Sequence, residues 1–121
     1  CSFCPKRYRA IGQPVLLPGD MGRASYVMLG TETAMAETFG STSHGAGRLM
    51  SRGQAIRQAK GREIARELEE RGIFIRASGR QTLAEEMPDA YKNIALVVEV
   101  IEHASISKKV ARLKPLGVIK G

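Results

Sequence analysis

The sequence predicts an α+β fold for this chain of 121 residues. Short apolar runs bounded by Gly and Pro, which are typical of strands, are interspersed with longer segments whose apolar residues recur at helical spacing. The two kinds of segment do not follow the regular strand–helix–strand order of a parallel sheet covered by helices. With 43% apolar and 5% aromatic residues, the composition provides for one domain around a single aliphatic core.

The N-terminal half is predicted to contain two strands and a short helix. Residues 13–17 and 26–29 are the strand-like runs. Residues 18–22 between them predict a turn, because proline fixes φ and glycine tolerates positive φ. Residues 33–39 predict a short helix that ends at Gly40.

Two amphipathic segments begin the second half of the chain. Residues 50–58 and 62–71 predict helices, either as separate elements or as one helix broken at Gly61. Residues 73–75 then predict a strand, because they are an Ile-Phe-Ile run that follows a glycine.

The C-terminal segment is the most apolar part of the sequence. Residues 93–103 are apolar on nearly every side, which fits either a buried helix or a strand. Their length and the four-residue spacing of Glu99 and His103 favour the helix. Residues 110–113 and 116–119 predict one closing strand that is broken at Pro115.

The net charge of +7 lies mainly in the N-terminal half. Residues 1–60 carry eight Lys and Arg against three Asp and Glu, whereas residues 61–121 carry eleven against nine. A positive surface favours a polyanionic partner such as RNA. No apolar run is long enough to span a bilayer and no secretory leader is visible, so we expect a soluble, cytoplasmic protein.

Cys1 and Cys4 form a lone CxxC pair at the N-terminus. Zinc sites of this kind need a second pair or flanking histidines, and neither is present. We therefore interpret the two residues as reduced thiols and expect no metal site in this sequence.

The segment GSTSHGAGR, residues 40–48, is the part of the sequence that points most directly to chemistry. Small residues on both sides of His44 leave its imidazole open to a bulky group, and Arg48 and Arg52 follow as phosphate-binding cations. A neutral imidazole can attack phosphorus, so His44 is a candidate nucleophile. The alternatives are a hydrogen-bonding histidine in a glycine-rich loop, a surface ion pair for Arg48 and a solvated helix position for Arg52.

Four blocks of the sequence, in order, resemble those of the RtcB family of RNA ligases. The first is IGQPVLLPGDMG with Ala24, Ser25 and Tyr26 after it, and the second is GSTSHGAGR. The third is EEMPDAYK at residues 85–92, and the fourth is VARLKPLGVIKG at residues 110–121. The resemblance covers residues 8–121 and only the C-terminal portion of the family's length, while residues 1–7 match no block.

The resemblance implies the C-terminal portion of the RtcB fold and a GTP-dependent RNA ligase. Such an enzyme joins RNA 3′-phosphate or 2′,3′-cyclic phosphate ends to 5′-hydroxyl ends, as in tRNA splicing and RNA repair. His44 would accept GMP, and Arg48 and Arg52 would hold RNA or nucleotide phosphates. The residues implied to contact the nucleotide are Gly19, Asp20, Met21, Ser25, Ala46, Gly47, Tyr91 and Lys120.

Two positions depart from the family pattern. Asp20 and Arg23 stand where relatives carry small polar residues. Because an anion would repel phosphates, we expect the Asp20 carboxylate to face the ribose or the guanine N–H edge. No family motif assigns a role to Arg23.

The cofactors and partners follow from the same resemblance. The family uses manganese held by Cys, His and Asp ligands, which belong to the portion not represented here, so this chain alone is expected not to ligate. Its expected partners are RNA, the N-terminal metal-binding portion and the activator archease. An exposed apolar face should remain where that portion docks, which favours oligomers or aggregation.

Two rival functions are open to test. The chain could be a basic RNA-binding module without catalysis, or another histidine nucleotidyl or phosphotransfer protein. A generic P-loop is excluded because Ala46 and Gly47 stand where the Lys-[Ser/Thr] pair is required. For single residues, the alternative to a nucleotide contact is core packing for Tyr91 and a mobile chain end for Lys120.

Overall fold

The computed structural model describes residues 5–121 and confirms the α+β class. Over that range the chain forms five α-helices and five strands. The strands are β1 (Pro14–Pro18), β2 (Ser25–Gly30), β3 (Phe74–Ala77), β4 (Ser107–Leu113) and β5 (Gly117–Lys120). The helices are α1 (Glu32–Glu37), α2 (Arg52–Gln58), α3 (Ile64–Glu70), α4 (Arg80–Glu85) and α5 (Ile94–His103). Single 3₁₀ turns lie at Lys6–Tyr8 and Pro88–Ala90.

The first sheet is antiparallel, with the strand order β1-β2-β4. The predicted strands at residues 13–17 and 26–29 are confirmed as β1 and β2, joined by the predicted turn. Leu17 pairs with Tyr26 across the sheet, and both are buried with Met28 on one face. Successive side chains of a strand point to opposite faces, so Leu16 and Val27 lie on the other face.

Helix α5 packs on the buried face of this sheet. Its buried residues, Ile94, Val98 and Ile101, are spaced four and three apart and therefore form one stripe. The helix begins at Asn93, whose side-chain oxygen accepts a hydrogen bond from the Ala95 amide at 3.0 Å. The predicted helix at residues 93–103 is confirmed, although its opposite face is exposed and the helix is only half-buried.

The second sheet pairs β3 with β5 in parallel and corrects one prediction. Residues 110–113 and 116–119 do not form one closing strand. Leu113 ends β4 opposite Ser25 in the first sheet, whereas Gly117 begins β5 opposite Phe74 in the second. Pro115 lies between them, and because proline cannot donate to a strand ladder, the chain leaves one sheet here and joins the other.

The remaining helices are short and are capped by hydroxyl side chains where the sequence provides them. Thr31 accepts from the Ala34 amide at the start of α1, and Ser51 accepts from the Gln54 amide at the start of α2. Helices α2 and α3 are separate, because Gly61 lies between them with a φ of 82°. The predicted helix at residues 33–39 is shorter than expected, since α1 ends at Glu37.

The buried residues form two clusters and not the single core expected from composition. The sheet cluster joins the first sheet to α5 and comprises Leu17, Ala24, Tyr26, Met28, Ala46, Ile94, Val98 and Ile101. The helix cluster joins α2, α3 and α4 to the second sheet and comprises Met21, Ala55, Ala59, Ile64, Leu68, Ile73, Leu83, Met87 and Ala90. The turn after β1 links them, because Leu17 lies in one cluster and Met21 in the other. Among residues 5–121, no helix is long and apolar enough to cross a bilayer.

Candidate functional site

A cavity of about 700 Å³ lies where the turn after β1, the His44 loop (residues 40–48), Tyr91 and β5 meet. This volume is within the range of small-molecule sites, which is roughly 300–1,000 Å³. Ten of the eleven site residues expected from the sequence line the cavity: Gly19, Asp20, Met21, Ser25, His44, Ala46, Gly47, Arg48, Tyr91 and Lys120. The eleventh, Arg52, does not line it.

Packing within the protein requires a glycine at position 19 of the turn. A Cβ atom built on Gly19 would lie 2.1 Å from the Ala24 carbonyl oxygen and 2.9 Å from a methyl carbon of Ile94. The Gly19 amide donates to the Ser25 hydroxyl at 3.4 Å, which draws the two expected ligand contacts together. The turn therefore approaches Ala24 and helix α5 too closely for a side chain at this position.

The carboxylate of Asp20 is turned into the protein, which corrects the expectation that it faces a ribose or base. Its side chain is 0% exposed. Oδ1 accepts from the amides of Gly22 and Arg23 at 2.9 and 3.0 Å, and Oδ2 accepts from the Arg23 Nε at 2.6 Å. Asp20 thus reaches the cavity without presenting its charge there, because that charge is already paired and hydrogen-bonded.

Arg23, which no motif interpreted, connects this turn to the segment around Tyr91. Its Nη2 atom donates to the carbonyl oxygens of Pro88 and Tyr91, at 2.7 and 2.9 Å. Asp20 and Arg23, the two residues predicted to depart from the family pattern, therefore belong to one hydrogen-bonded unit that fixes the turn to Tyr91.

The C-terminal part of the His44 loop is held by backbone hydrogen bonds to two different segments. The Ala46 amide donates to Pro18 at 3.0 Å, and the Lys92 amide donates to Gly47 at 3.0 Å. Gly47 has a φ of 75°, a conformation that favours glycine. The loop is therefore fixed between β1 and the Tyr91 segment, while the His44 side chain at its centre is exposed at the cavity.

The Arg48 guanidinium is largely occupied by hydrogen bonds within the protein, which leaves it less free to bind a phosphate. Its Nε donates to the Met50 carbonyl at 3.0 Å and its Nη2 to the Glu85 carbonyl at 2.6 Å. Its Nη1 donates to Glu86 at 3.3 Å and to the Tyr91 hydroxyl at 3.0 Å. The guanidinium also lies 4.9 Å from the centre of the Tyr91 ring. Arg48 consequently forms part of the cavity wall.

Arg52 is the more available of the two arginines. Its side chain is 68% exposed on the first turn of α2. The Nε atom lies 3.8 Å from a carboxylate oxygen of Glu85 and 3.9 Å from one of Glu86. At such distances and exposure the ion pairs are weak, so the guanidinium can turn to another anion.

Glu86 is the functional candidate that the sequence interpretation missed. Its carboxylate accepts hydrogen bonds from Arg48 and from the Tyr91 hydroxyl, and it lies 3.6 Å from the Lys120 ammonium. Burial raises the pKa of Glu86, but the hydrogen bond from Tyr91 and the neighbouring cations outweigh it, so the pKa is lowered. The signal in the sequence was the position of Glu86 five residues before Tyr91 in the EEMPDAYK block.

Tyr91 and Lys120 complete this part of the wall. Burial, and then the hydrogen bond to Glu86, raise the pKa of the Tyr91 hydroxyl, so it stays protonated. Lys120 is not on a mobile end, because it belongs to β5 and pairs with Ala77 of β3. The second sheet thus carries the ammonium group into the cavity.

Metal ligands do not cluster in the part of the chain that the structure describes. Over residues 5–121, no three His, Cys, Asp or Glu side chains lie close enough together to hold a metal ion. Cys1 and Cys4 lie outside these residues, so the interpretation of them as reduced thiols stays a prediction.

Comparison with known proteins identifies the family. The family model described as tRNA-splicing ligase RtcB matches residues 1–121, which include residues 1–7 that matched no sequence block. The tRNA-splicing ligase RtcB of Pyrococcus furiosus is 60% identical over 117 residues, or 97% of this chain and 12% of that protein. That of Methanocaldococcus jannaschii is 57% identical over 97% of this chain and 12% of its own length. That of Archaeoglobus fulgidus is 56% identical over 97% of this chain and 24% of its own length.

This chain therefore spans between 12% and 24% of the length of these relatives. Because the family model matches all 121 residues, and more than half of the aligned residues are identical in each relative, the chain belongs to the RtcB family.

Proposed function

We propose that this chain forms the nucleotide-binding part of a GTP-dependent RNA ligase. The proposed enzyme joins RNA 3′-phosphate or 2′,3′-cyclic phosphate ends to 5′-hydroxyl ends, as in tRNA splicing and RNA repair. The observation that carries the proposal is the exposed His44 imidazole at a cavity of about 700 Å³ that nine other expected site residues also line.

His44 is the proposed nucleophile. Its imidazole nitrogen forms a bond to the α-phosphorus of GTP, and the bond from that phosphorus to the pyrophosphate oxygen breaks. An oxygen of the RNA 3′-phosphate then displaces the imidazole and takes over GMP. The 5′-hydroxyl of the second strand attacks the RNA phosphorus, loses its proton and expels GMP. A 2′,3′-cyclic end needs one water to open it before this sequence begins.

The cavity wall supplies the remaining contacts in this proposal. Gly19, Asp20, Ala46 and Gly47 approach the nucleotide mainly through backbone atoms, since the Asp20 carboxylate is buried. Met21, Ser25, Tyr91 and Lys120 contribute side chains. Arg52 binds a phosphate directly, whereas Arg48 contributes its charge from within the wall.

Manganese is expected to be held by residues outside this chain. Among residues 5–121, no set of side chains is gathered that fits this ion. The proposed partners are RNA, the remaining portion of the family's length and archease, and the proposed location is the cytoplasm. This chain alone is proposed not to ligate.

The test uses a chimera, defined as the Archaeoglobus fulgidus relative in which this chain replaces the matched segment. Incubation with radiolabelled GTP and Mn²⁺ should leave GMP on the protein in an acid-labile, alkali-stable bond, as expected of a phosphoramidate. His44→Ala should abolish the label, while His103→Ala, which changes the exposed second histidine on α5, should keep it.

Each rival predicts a different result in the same assay. Labelling that survives His44→Ala would refute the proposed nucleophile. Stronger labelling by ATP than by GTP would favour another nucleotidyl transferase. RNA binding without any label would favour the non-catalytic module, which the net charge of +7 would also support.

A further inference from the structure

We infer that Glu86 determines which hydrogen bonds the cavity offers to a bound base, and thereby its preference for guanine over adenine. The carboxylate contacts groups from three separate segments, namely Arg48 of the His44 loop, Tyr91 and Lys120 of β5. Glu86 is therefore a positioning residue, and this inference rests on the proposed function.

The proton of the Tyr91 hydroxyl is already used in a hydrogen bond within the protein. It donates to Glu86 and accepts from the Arg48 Nη1 at 3.0 Å. A hydroxyl has one donor and two acceptor positions, so one acceptor position is left for a ligand. Tyr91 can therefore receive a hydrogen bond from a base but cannot donate one.

Lys120, in contrast to Tyr91, offers hydrogen-bond donors to a ligand. Its ammonium has three donors, and the one directed at Glu86 over 3.6 Å leaves two for a ligand. Guanine presents the O6 acceptor beside the N1–H donor, whereas adenine presents an N6 donor beside the N1 acceptor. A wall with a lysine donor and a tyrosine acceptor matches guanine and leaves adenine with at least one unpaired group.

Glu86 also keeps the cations of this wall together. Arg48, Arg52 and Lys120 all lie within 3.9 Å of its carboxylate. Without that negative charge the three cations repel one another, and of the three Lys120 is the one proposed to contact the base. Removing the charge should therefore affect the base contact first.

The test compares Glu86→Gln with Glu85→Gln in the chimera. The control removes the same charge one residue earlier, from a carboxylate that does not line the cavity. Glu86→Gln should raise the dissociation constant for GTP roughly tenfold and that for ATP much less, since a charge-assisted contact to guanine is lost. The labelling rate at saturating GTP should change less than about threefold, because His44 is untouched. Glu85→Gln should leave both affinities unchanged.

A double-mutant cycle separates positioning from a general loss of folding. Tyr91→Phe should weaken GTP binding in the parent chimera and have little further effect in the Glu86→Gln background, because the hydroxyl that it removes is positioned by Glu86. Ultraviolet titration should also show the pKa of the Tyr91 phenol falling in Glu86→Gln, whereas a purely structural role elsewhere would not move it.

The outcomes distinguish this inference from the proposed function. A chimera that binds GTP but keeps its affinity and its preference over ATP after Glu86→Gln would overturn this inference alone. A fall in the saturated labelling rate with an unchanged dissociation constant would also overturn it. A parent chimera that binds neither nucleotide would overturn both.

Discussion

Arg23 and Asp20 form an ion pair in which the Arg23 Nε lies 2.6 Å from a carboxylate oxygen of Asp20. The aspartate is fully buried, while the arginine side chain is about one-third exposed. The sequence motifs predict that these two positions depart from the family pattern, and the structure places them in contact. Two departures that are unexplained singly are thus explained as a pair.

The first prediction is that Asp20 and Arg23 are strongly coupled in stability. Arg23→Ser leaves a buried carboxylate without its cation and should lower the free energy of unfolding by about 3 kcal/mol. Asp20→Ser should cost about 2 kcal/mol, because the partly exposed arginine can be hydrated. The double variant should cost clearly less than the sum of the two. Urea denaturation measures all three, and additive effects would contradict the coupling.

The second prediction concerns the close approach at Gly19. A Cβ atom at this position would lie 2.1 Å from the Ala24 carbonyl oxygen, so Gly19→Ala requires the backbone to move. We expect a loss of about 3 kcal/mol in the free energy of unfolding. Gly79→Ala is the matched control, because nothing lies within 4 Å of a Cβ there and the backbone is extended. Thermal unfolding of the two variants should differ clearly in midpoint, and equal midpoints would refute the steric argument.

The sequence predicted most elements of this fold because their signals are local. The strands β1 and β2 are apolar runs bounded by Gly and Pro, and the helix α5 was favoured by its length and by the four-residue spacing of Glu99 and His103. Helix α4 was missed because six residues with one buried side chain, Leu83, contain too little periodicity. The transfer of the chain from β4 to β5 was missed because strand pairing joins residues that are distant in the sequence, and no local pattern records it.

The candidate site, like the fold, could be predicted from the sequence only in part. The family motifs named ten residues that line one cavity, since a motif records which residues recur together. They did not reveal that the donors of Arg48 are occupied by Met50, Glu85, Glu86 and Tyr91. Nor did they reveal that the Asp20 carboxylate is turned away from the cavity. The direction of a side chain depends on tertiary contacts, which cannot be inferred from a single sequence.

The third prediction follows from the lowered pKa of Glu86. A carboxyl whose pKa is lower in the folded than in the unfolded state stabilises the fold above its ordinary pKa, and this contribution is lost as the pH falls through the folded value. Glu86→Gln should therefore lower stability most near neutral pH and progressively less in acid. Glu99→Gln, on the exposed face of α5, is the control. Denaturant midpoints between neutral pH and pH values below the ordinary glutamate pKa measure the difference, and a difference that is constant with pH would contradict the assignment.

The fourth prediction is that this chain by itself associates through the exposed apolar face of its first sheet. Leu16 is 71% exposed, opposite Val27, on the face of the first sheet that points away from α5. Apolar surface of this kind favours self-association. Leu16→Thr introduces a β-branched residue, which suits a strand, while it reduces that surface, so it should lower the association measured by sedimentation velocity without lowering the unfolding midpoint. Lys108→Thr is the control, because Lys108 is an exposed polar residue of the same sheet. A chain that remains monomeric at high concentration, or a Leu16→Thr variant that associates as strongly as its parent, would show that this face does not need a partner.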